Sequence, residues 1–349
     1  MTPVLPYFEA FSQCLENPCD AVDNPEGYIA LCVAENKLAQ EVFANRLMRP
    51  STALEAFSDS VAYNYNGMLG LPIAREAVAR FLEKRFLLSP RVQGGGGGGV
   101  LMNDGVCSSE RSLVSSDRIN PEHIAIAAGA SSILNHLFFS ISEPGEGVLI
   151  PAPFYAAFVS DMKVVAGCIP IPVHSANPVR GPTVDELEAA KQNSERNLGV
   201  KVKIFLITNP NNPLGIAYDQ EMVRKWILWA RSYSIHCIVD EIYALSMHQA
   251  QHNFVSVIRI LENVLDDDVH FVWALSKDFG ASGFRIGVLY SQNEDLLQAL
   301  SNLSIFSCVS VSILNELFHL YSICYDGAVW IIVTHSRLLY YLITSIRCN

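Results

Sequence analysis

A mostly parallel sheet with helices on both faces is the fold class this sequence predicts. Three observations predict it. Short apolar runs without polar alternation, at 203–207 and Val269–Ala274, read as strands buried on both sides. Stretches with helical spacing separate them, so the pattern alternates between strand and helix. Half of the 349 residues are hydrophobic and 17% are charged, enough apolar surface for a sizeable core.

Residues 1–27 are irregular. Residues 28–36, Tyr-Ile-Ala-Leu-Cys-Val-Ala-Glu-Asn, run apolar and end on a carboxylate and an amide. They read either as a strand followed by a helix cap or as a substrate loop. Pro72 opens an amphipathic helix, with Ile73, Ala77, Phe81 and Ala74, Val78, Leu82 at four-residue spacing. Residues 89–118 contain six consecutive glycines (94–99) and then a Ser-rich stretch. No Lys-Ser/Thr follows, so this is a flexible insertion and not a phosphate loop. From His123 a strand–turn–helix pattern repeats. A strand at 123–128 turns through Gly129-Ala130-Ser131 into a helix around 133–141. A strand at 147–150 leads to Pro151-Ala-Pro-Phe-Tyr155. Residues 183–186, Thr-Val-Asp-Glu, form a capping box. The strand at 203–207, a helix near 221–232, a strand at 236–239, and the strands Val269–Ala274 and Ile286–Tyr290 complete the series.

Ligands in such sheets bind beyond the carboxyl ends of the strands, so the residues there carry the chemistry. Lys277 follows an apolar strand, and Arg285 follows it by eight residues across a run of small residues. A lone lysine at a strand exit is ordinarily a surface residue. Here an amine able to form an imine would lie near a guanidinium able to hold a phosphate. That pair suits pyridoxal phosphate (PLP), which carries an aldehyde and a phosphate on one ring. Asp240 ends another apolar strand, where a carboxylate needs a cationic partner such as a protonated pyridine nitrogen. Tyr243 follows three residues on; the plainer alternative is a helix cap with a core tyrosine. In Thr208-Asn-Pro-Asn-Asn-Pro-Leu-Gly215 two Asn-Pro pairs restrict the backbone and aim Asn212 at a fixed point. Ser131, at a helix start, favours an anion. Tyr155 offers an aromatic face for the ring; Phe154 competes with it, and both fit a core as well.

The order Gly-Ala-Ser, Pro-x-Pro-x-Tyr, Asn-Pro-x-Asn-Pro-x-Gly, Asp-x-x-Tyr, Ser-Lys and Arg resembles the class I/II aminotransferases of PLP fold type I. Val33-Ala-Glu-Asn36, Gly-Leu-Pro at 70–72 and Ser-Lys-Asp-Phe-Gly are most similar to the 1-aminocyclopropane-1-carboxylate (ACC) synthase-like branch. The resemblance runs from about Gly27 to Ser310. It implies an internal aldimine at Lys277, which also shuttles the α-proton. It implies Asp240 at the ring nitrogen, Asn212 and Tyr243 at the ring oxygen, Tyr155 stacked on the ring, and Ala130, Ser131 and Arg285 at the phosphate. Ala34 and Glu35 would lie near the substrate. It further implies a homodimer acting on an amino acid, most simply as an aminotransferase. The alternatives are an ACC synthase-type lyase on S-adenosylmethionine and a PLP-binding form without turnover.

The sequence departs from the family at three places. Ala274 stands where a serine usually contacts the phosphate, and Ser276 beside the lysine need not point the same way. Met68 stands where an aromatic usually reaches the neighbouring subunit's phosphate. Each lost charged hydrogen bond costs about 1.5–3 kcal/mol, so cofactor binding should weaken but persist. Only 72 residues follow Lys277, whereas the family carries a larger C-terminal small domain with a carboxylate-clamping arginine. Arg337 and Arg347 have no supporting motif, so a truncated or replaced C-terminal domain is expected. The expected division is an N-terminal and substrate-side segment at 1–70, a PLP-binding large domain at 71–310 and an atypical segment at 311–349.

The net charge of −11 argues against nucleic-acid binding. Residues 329–333 and their neighbours, interrupted by Asp326, His335 and Arg337, fall short of the ~20 apolar residues of a membrane span. Nine cysteines without CxxC spacing predict reduced thiols, with no disulfide frame and no metal site. With no basic-then-apolar leader at the start, a cytoplasmic chain is expected.

Overall fold

The computed structural model describes residues 6–29, 34, 41, 45, 67–88, 118–247 and 254–303. The flexible insertion expected at 89–118 lies outside them except for Arg118, as do Glu35 and the segment 311–349 with Arg337 and Arg347. The described helices are α1 (Pro6–Glu16), α2 (Pro72–Leu82), α3 (Ala130–Ile141), α4 (Phe158–Lys163), α5 (Val184–Asn197), α6 (Gln220–Ser232), α7 (Val257–Ile260), α8 (Leu275–Asp278) and α9 (Glu294–Leu303). The strands are β1 (Ile124–Ala128), β2 (Gly147–Pro151), β3 (Ile169–Val173), β4 (Val202–Thr208), β5 (His236–Asp240), β6 (Val269–Ala274) and β7 (Ile286–Tyr290).

These strands form one sheet in the order β1-β7-β6-β5-β4-β2-β3. The pairs β2/β3, β2/β4, β4/β5 and β5/β6 are parallel, while β7 runs antiparallel to both β1 and β6. The carboxyl ends of the other six strands therefore share one edge with the amino end of β7. Alternate residues feed two cores. Phe205, Ile207, Cys237, Val239, Phe271 and Trp273 point to one face, packed beneath α2 and α6. Ile204, Leu206, Ile238, Val272 and Ala274 point to the other, beneath α3, α4 and α9. On the first face Phe81 of α2 packs on Trp273 with ring centroids 4.9 Å apart, and Phe86 meets Phe271 edge-on at 5.4 Å. These contacts anchor the strand that ends next to Lys277.

Helix α2 begins at Pro72 as its periodicity predicts, but its buried stripe holds Ala74, Val78, Phe81 and Leu82, while Ile73 faces outward. The capping box at α5 forms: Thr183 Oγ1 accepts from Glu186 N–H at 3.2 Å, and Glu186 Oε2 accepts from Thr183 N–H at 2.7 Å. His123 belongs to a 3-10 turn, Pro121–His123, ahead of β1 rather than to the strand. Helix α1 occupies part of the segment 1–27 that was expected to be irregular, and α4, α7, α8, α9 and β3 likewise have no counterpart in the sequence reading. Strand β3 reads Ile-Pro-Ile-Pro-Val and lies at the sheet edge. Ile169 N–H donates to Glu146 O at 2.9 Å and Val173 O accepts from Ala152 N–H at 3.0 Å. The odd residues thus bond β2, which leaves Pro170 and Pro172 where no N–H is needed.

Thr183→Ala removes one half of the reciprocal cap and should lower stability by about 0.5–2 kcal/mol, read as the denaturant midpoint.

Candidate active site

The shared strand edge opens into a cleft of about 610 Å³. Every sequence-predicted site residue that the structure describes lines it: Ala34, Ala130 and Ser131, then Tyr155 and Asn212, then Asp240, Tyr243, Lys277 and Arg285.

Lys277 sits on the short turn α8 directly after β6. Its Nζ donates to the carbonyl oxygen of Ala34 at 2.8 Å, so the substrate-side segment touches the lysine across 243 residues of sequence. The next residue, Asp278, is buried and clamps two strand exits together. It accepts from Trp273 Nε1 at 2.8 Å, from Ser246 Oγ at 2.6 Å and from Leu245 N–H at 3.2 Å. The loop carrying Tyr243 is thereby tied to the turn carrying Lys277.

Asp240 ends β5 at 3% exposure, on the same face as Ile238. Its Oδ1 accepts from Ile242 N–H at 3.1 Å. Burial pushes its carboxyl up to about 7, a rise that the Ile242 hydrogen bond opposes and the nearby Asp161 charge reinforces. The rise agrees with the sequence reading that a carboxylate at this strand end needs a cationic partner to ionise. Asn212 Nδ2 reaches Tyr243 Oη at 3.5 Å, so the two side chains expected to share one ligand oxygen do converge. Tyr155 meets Phe158 edge-on at 5.4 Å, and Phe154 also lines the cleft, so the two aromatics share the wall.

Arg285 precedes the antiparallel strand β7, which delivers it to the same edge as the carboxyl ends. It holds a left-handed backbone with φ 53. Its guanidinium donates to Ser282 O at 3.1 Å and to Ala128 O at 3.5 Å. This lays it over the start of α3, a helix with no side-chain cap. Gly129, at φ 88, is required here: a Cβ would lie 2.3 Å from Arg285 Nη2. A Cβ at Gly287 would lie 2.3 Å from the Gly129 carbonyl carbon. Free helix N–H groups, the Ser131 hydroxyl and a guanidinium make an anion cradle of the kind a phosphate takes.

Of the departures noted in the sequence, Ala274 is fully buried in the α3-side core, while Ser276 lines the cleft. Met68 lies in the turn before α2. Two polar wall residues carried no motif. Thr208 ends β4 and was read only as the start of the Asn-Pro loop. Asp161 lies in α4, a helix too short to show periodicity.

A family model described as aminotransferase class I and II matches residues 28–317, and the chain belongs to that family. It is 32% identical over 317 residues to 1-aminocyclopropane-1-carboxylate synthase 6 of Arabidopsis thaliana, covering 87% of this chain and 57% of that protein. It is also 32% identical over 285 residues to the human "probable inactive 1-aminocyclopropane-1-carboxylate synthase-like protein 2", covering 80% of this chain and 45% of that one. The chain thus spans about half to six-tenths of the length of these relatives. Among solved structures, aspartate aminotransferase from Thermus thermophilus with maleate superposes with a TM-score of 0.62 at 19% identity, over 89% of this chain and 67% of that one. The fold is that of the fold type I aminotransferases, and the family is PLP-dependent. The residues present fit such a cofactor: the cradle suits its phosphate, and a buried, uncompensated carboxylate suits its ring cation. No helix among the described residues is long and apolar enough to cross a membrane, and no group of metal-holding side chains occurs among them.

Burial also raises Asp278 to about 7 and Glu241 to about 8, each well above its usual value. The folded state therefore binds more protons than the unfolded one up to about pH 8, and stability falls as pH rises through that window. Buried His270, pushed down to about 3 from 6.5, acts oppositely below pH 6.5. Without cofactor, the chain should lose stability between about pH 6.5 and pH 8, and Asp240→Asn should lose less, measured as denaturant midpoints at the two pH values.

Proposed function

We propose that this chain is a PLP-dependent enzyme of amino-acid metabolism that works at an amino acid's α-carbon, most simply as an aminotransferase. One observation carries this reading. An amine, a buried carboxylate and an anion cradle, which are Lys277, Asp240, and Arg285 with the start of α3, line one cleft. PLP, when bound, supplies a sink for the electron pair left when a bond to the α-carbon breaks. Lys277 presents the amine that holds the cofactor and then moves the proton at the α-carbon. Asp240 holds the proton on the ring nitrogen. Asn212 and Tyr243 donate to the ring oxygen, and Tyr155 covers the ring face. Ala130, Ser131 and Arg285 hold the phosphate, and Ala34 and Glu35 face the substrate. The hydrogen bond from Lys277 to the Ala34 carbonyl supports the assignment of Ala34, because it brings that residue to the lysine. A cytoplasmic homodimer built on a large domain at 71–310 belongs to the same reading.

A second reading is an ACC synthase-type lyase on S-adenosylmethionine, favoured by the Arabidopsis relative's name. A PLP-binding form without turnover is the third, favoured by the human relative's name. On adding PLP, the purified chain should gain the visible absorbance of lysine-bound PLP, and Lys277→Ala should not. Amino-group transfer to a 2-oxo acid supports the first reading, and release of methylthioadenosine from S-adenosylmethionine the second. Cofactor binding with neither product supports the third, and no binding contradicts all three.

A further inference from the structure

The wall around Asp240 holds more anionic and polar capacity than one carboxylate accounts for. Asp161 lines the same cleft from α4, whose flanking residues Phe158 and Met162 are buried in the core on the Asp240 face of the sheet. Thr208 lines it from the neighbouring strand, paired in register with Asp240 and at 4% exposure. Its Oγ1 is buried and makes no hydrogen bond among the described residues. A buried hydroxyl without a partner is expensive to maintain, and its place on a cleft wall points to something that enters.

We propose that Asp161 is a second anionic positioning residue, paired with Asp240 so that this cleft takes the cofactor ring in its cationic, nitrogen-protonated form. The inference rests on the cofactor reading above and extends it to a residue outside the family motifs. Two carboxylates lining one poorly solvated cleft wall cannot both ionise cheaply, so without a cation the wall keeps a proton. Burial alone raises Asp161 to about 6, while at Asp240 the Asp161 charge adds to a rise that burial dominates. A ring nitrogen that brings its own positive charge lets both carboxylates ionise and releases the retained proton. Asp161 acts through Asp240: its charge raises the proton affinity of that carboxylate and of the nitrogen bonded to it. The Thr208 hydroxyl stands beside Asp240 as a donor for the newly ionised oxygen.

The other titratable or charged groups of the wall are Tyr155, Tyr243, Lys277 and Arg285. Helix α3, packed against α4, adds His136, which burial holds below its usual value, and β3 adds none.

The test is calorimetric titration of the full chain with pyridoxine 5'-phosphate, which has the ring and phosphate without the aldehyde. Buffers of differing ionisation enthalpy at slightly acidic pH report the protons released. Inorganic phosphate is the control ligand for the Arg285 cradle. Wild type should bind the probe with proton release. Asp161→Asn should bind it about tenfold more weakly, the effect of a one-unit change in proton affinity, and release fewer protons. Its phosphate affinity should be unchanged, and Asp161→Glu should restore both losses. Equal affinity and proton release in wild type and Asp161→Asn would overturn the inference while leaving the cofactor reading intact. So would a parallel loss of phosphate binding, because Asp161 would then be merely structural. Failure of wild type to bind the probe would overturn the cofactor reading and this inference with it.

Discussion

A carboxylate buried at the end of an apolar strand is the constraint on which the rest of this site depends. Asp240 has one backbone hydrogen bond and almost no exposure. Its ionised form is costly until a cation arrives. The surrounding sheet is too well packed to relax around it: Val239, Ile238 and Cys237 are fully buried, and β4 and β6 flank β5 in register. The protein therefore keeps an unspent electrostatic demand at one fixed point. A ring nitrogen that carries a proton meets that demand, and neutral water does not.

The sheet topology places the complementary groups around that point. Parallel strands bring Thr208, Asp240 and the β6–Lys277 turn to one edge in adjacent positions. Reversal of β7 adds Arg285 from the opposite chain direction, and the Gly129–Gly287 contact lets its guanidinium lie on the helix start. Asp278 then holds the Tyr243 and Lys277 loops at a fixed separation through three hydrogen bonds. Precision at the site thus comes from rigid strand ends and a buried clamp.

Much of this was legible in the sequence because the relevant signals are local. Val269–Ala274, apolar except for His270, and Ile286–Tyr290 appear in the sequence with the bounds the structure gives them. The Thr183–Glu186 box announces its helix through four residues. Lys277, Asp240 and Arg285 stand out because a charge at a strand end is unusual. The obscured elements are those whose signal is tertiary. Strand β3 carries two prolines that only an edge position tolerates, and α4 is shorter than two turns. Asp161 therefore passes for a surface acid until its helix is seen packed over the cleft. The need of Asp240 for a cationic partner was legible, because its carboxylate directly ends an apolar strand. Glu35 and the residues after 303 lie outside the described structure, so the substrate side is characterised through Ala34.

Borohydride reduction of the PLP-treated chain, followed by peptide mass mapping, tests the central claim most directly. The account predicts a single covalent pyridoxyl label, on Lys277, the lysine whose amine shares the cleft with Asp240. A label on another lysine, or none, would contradict it.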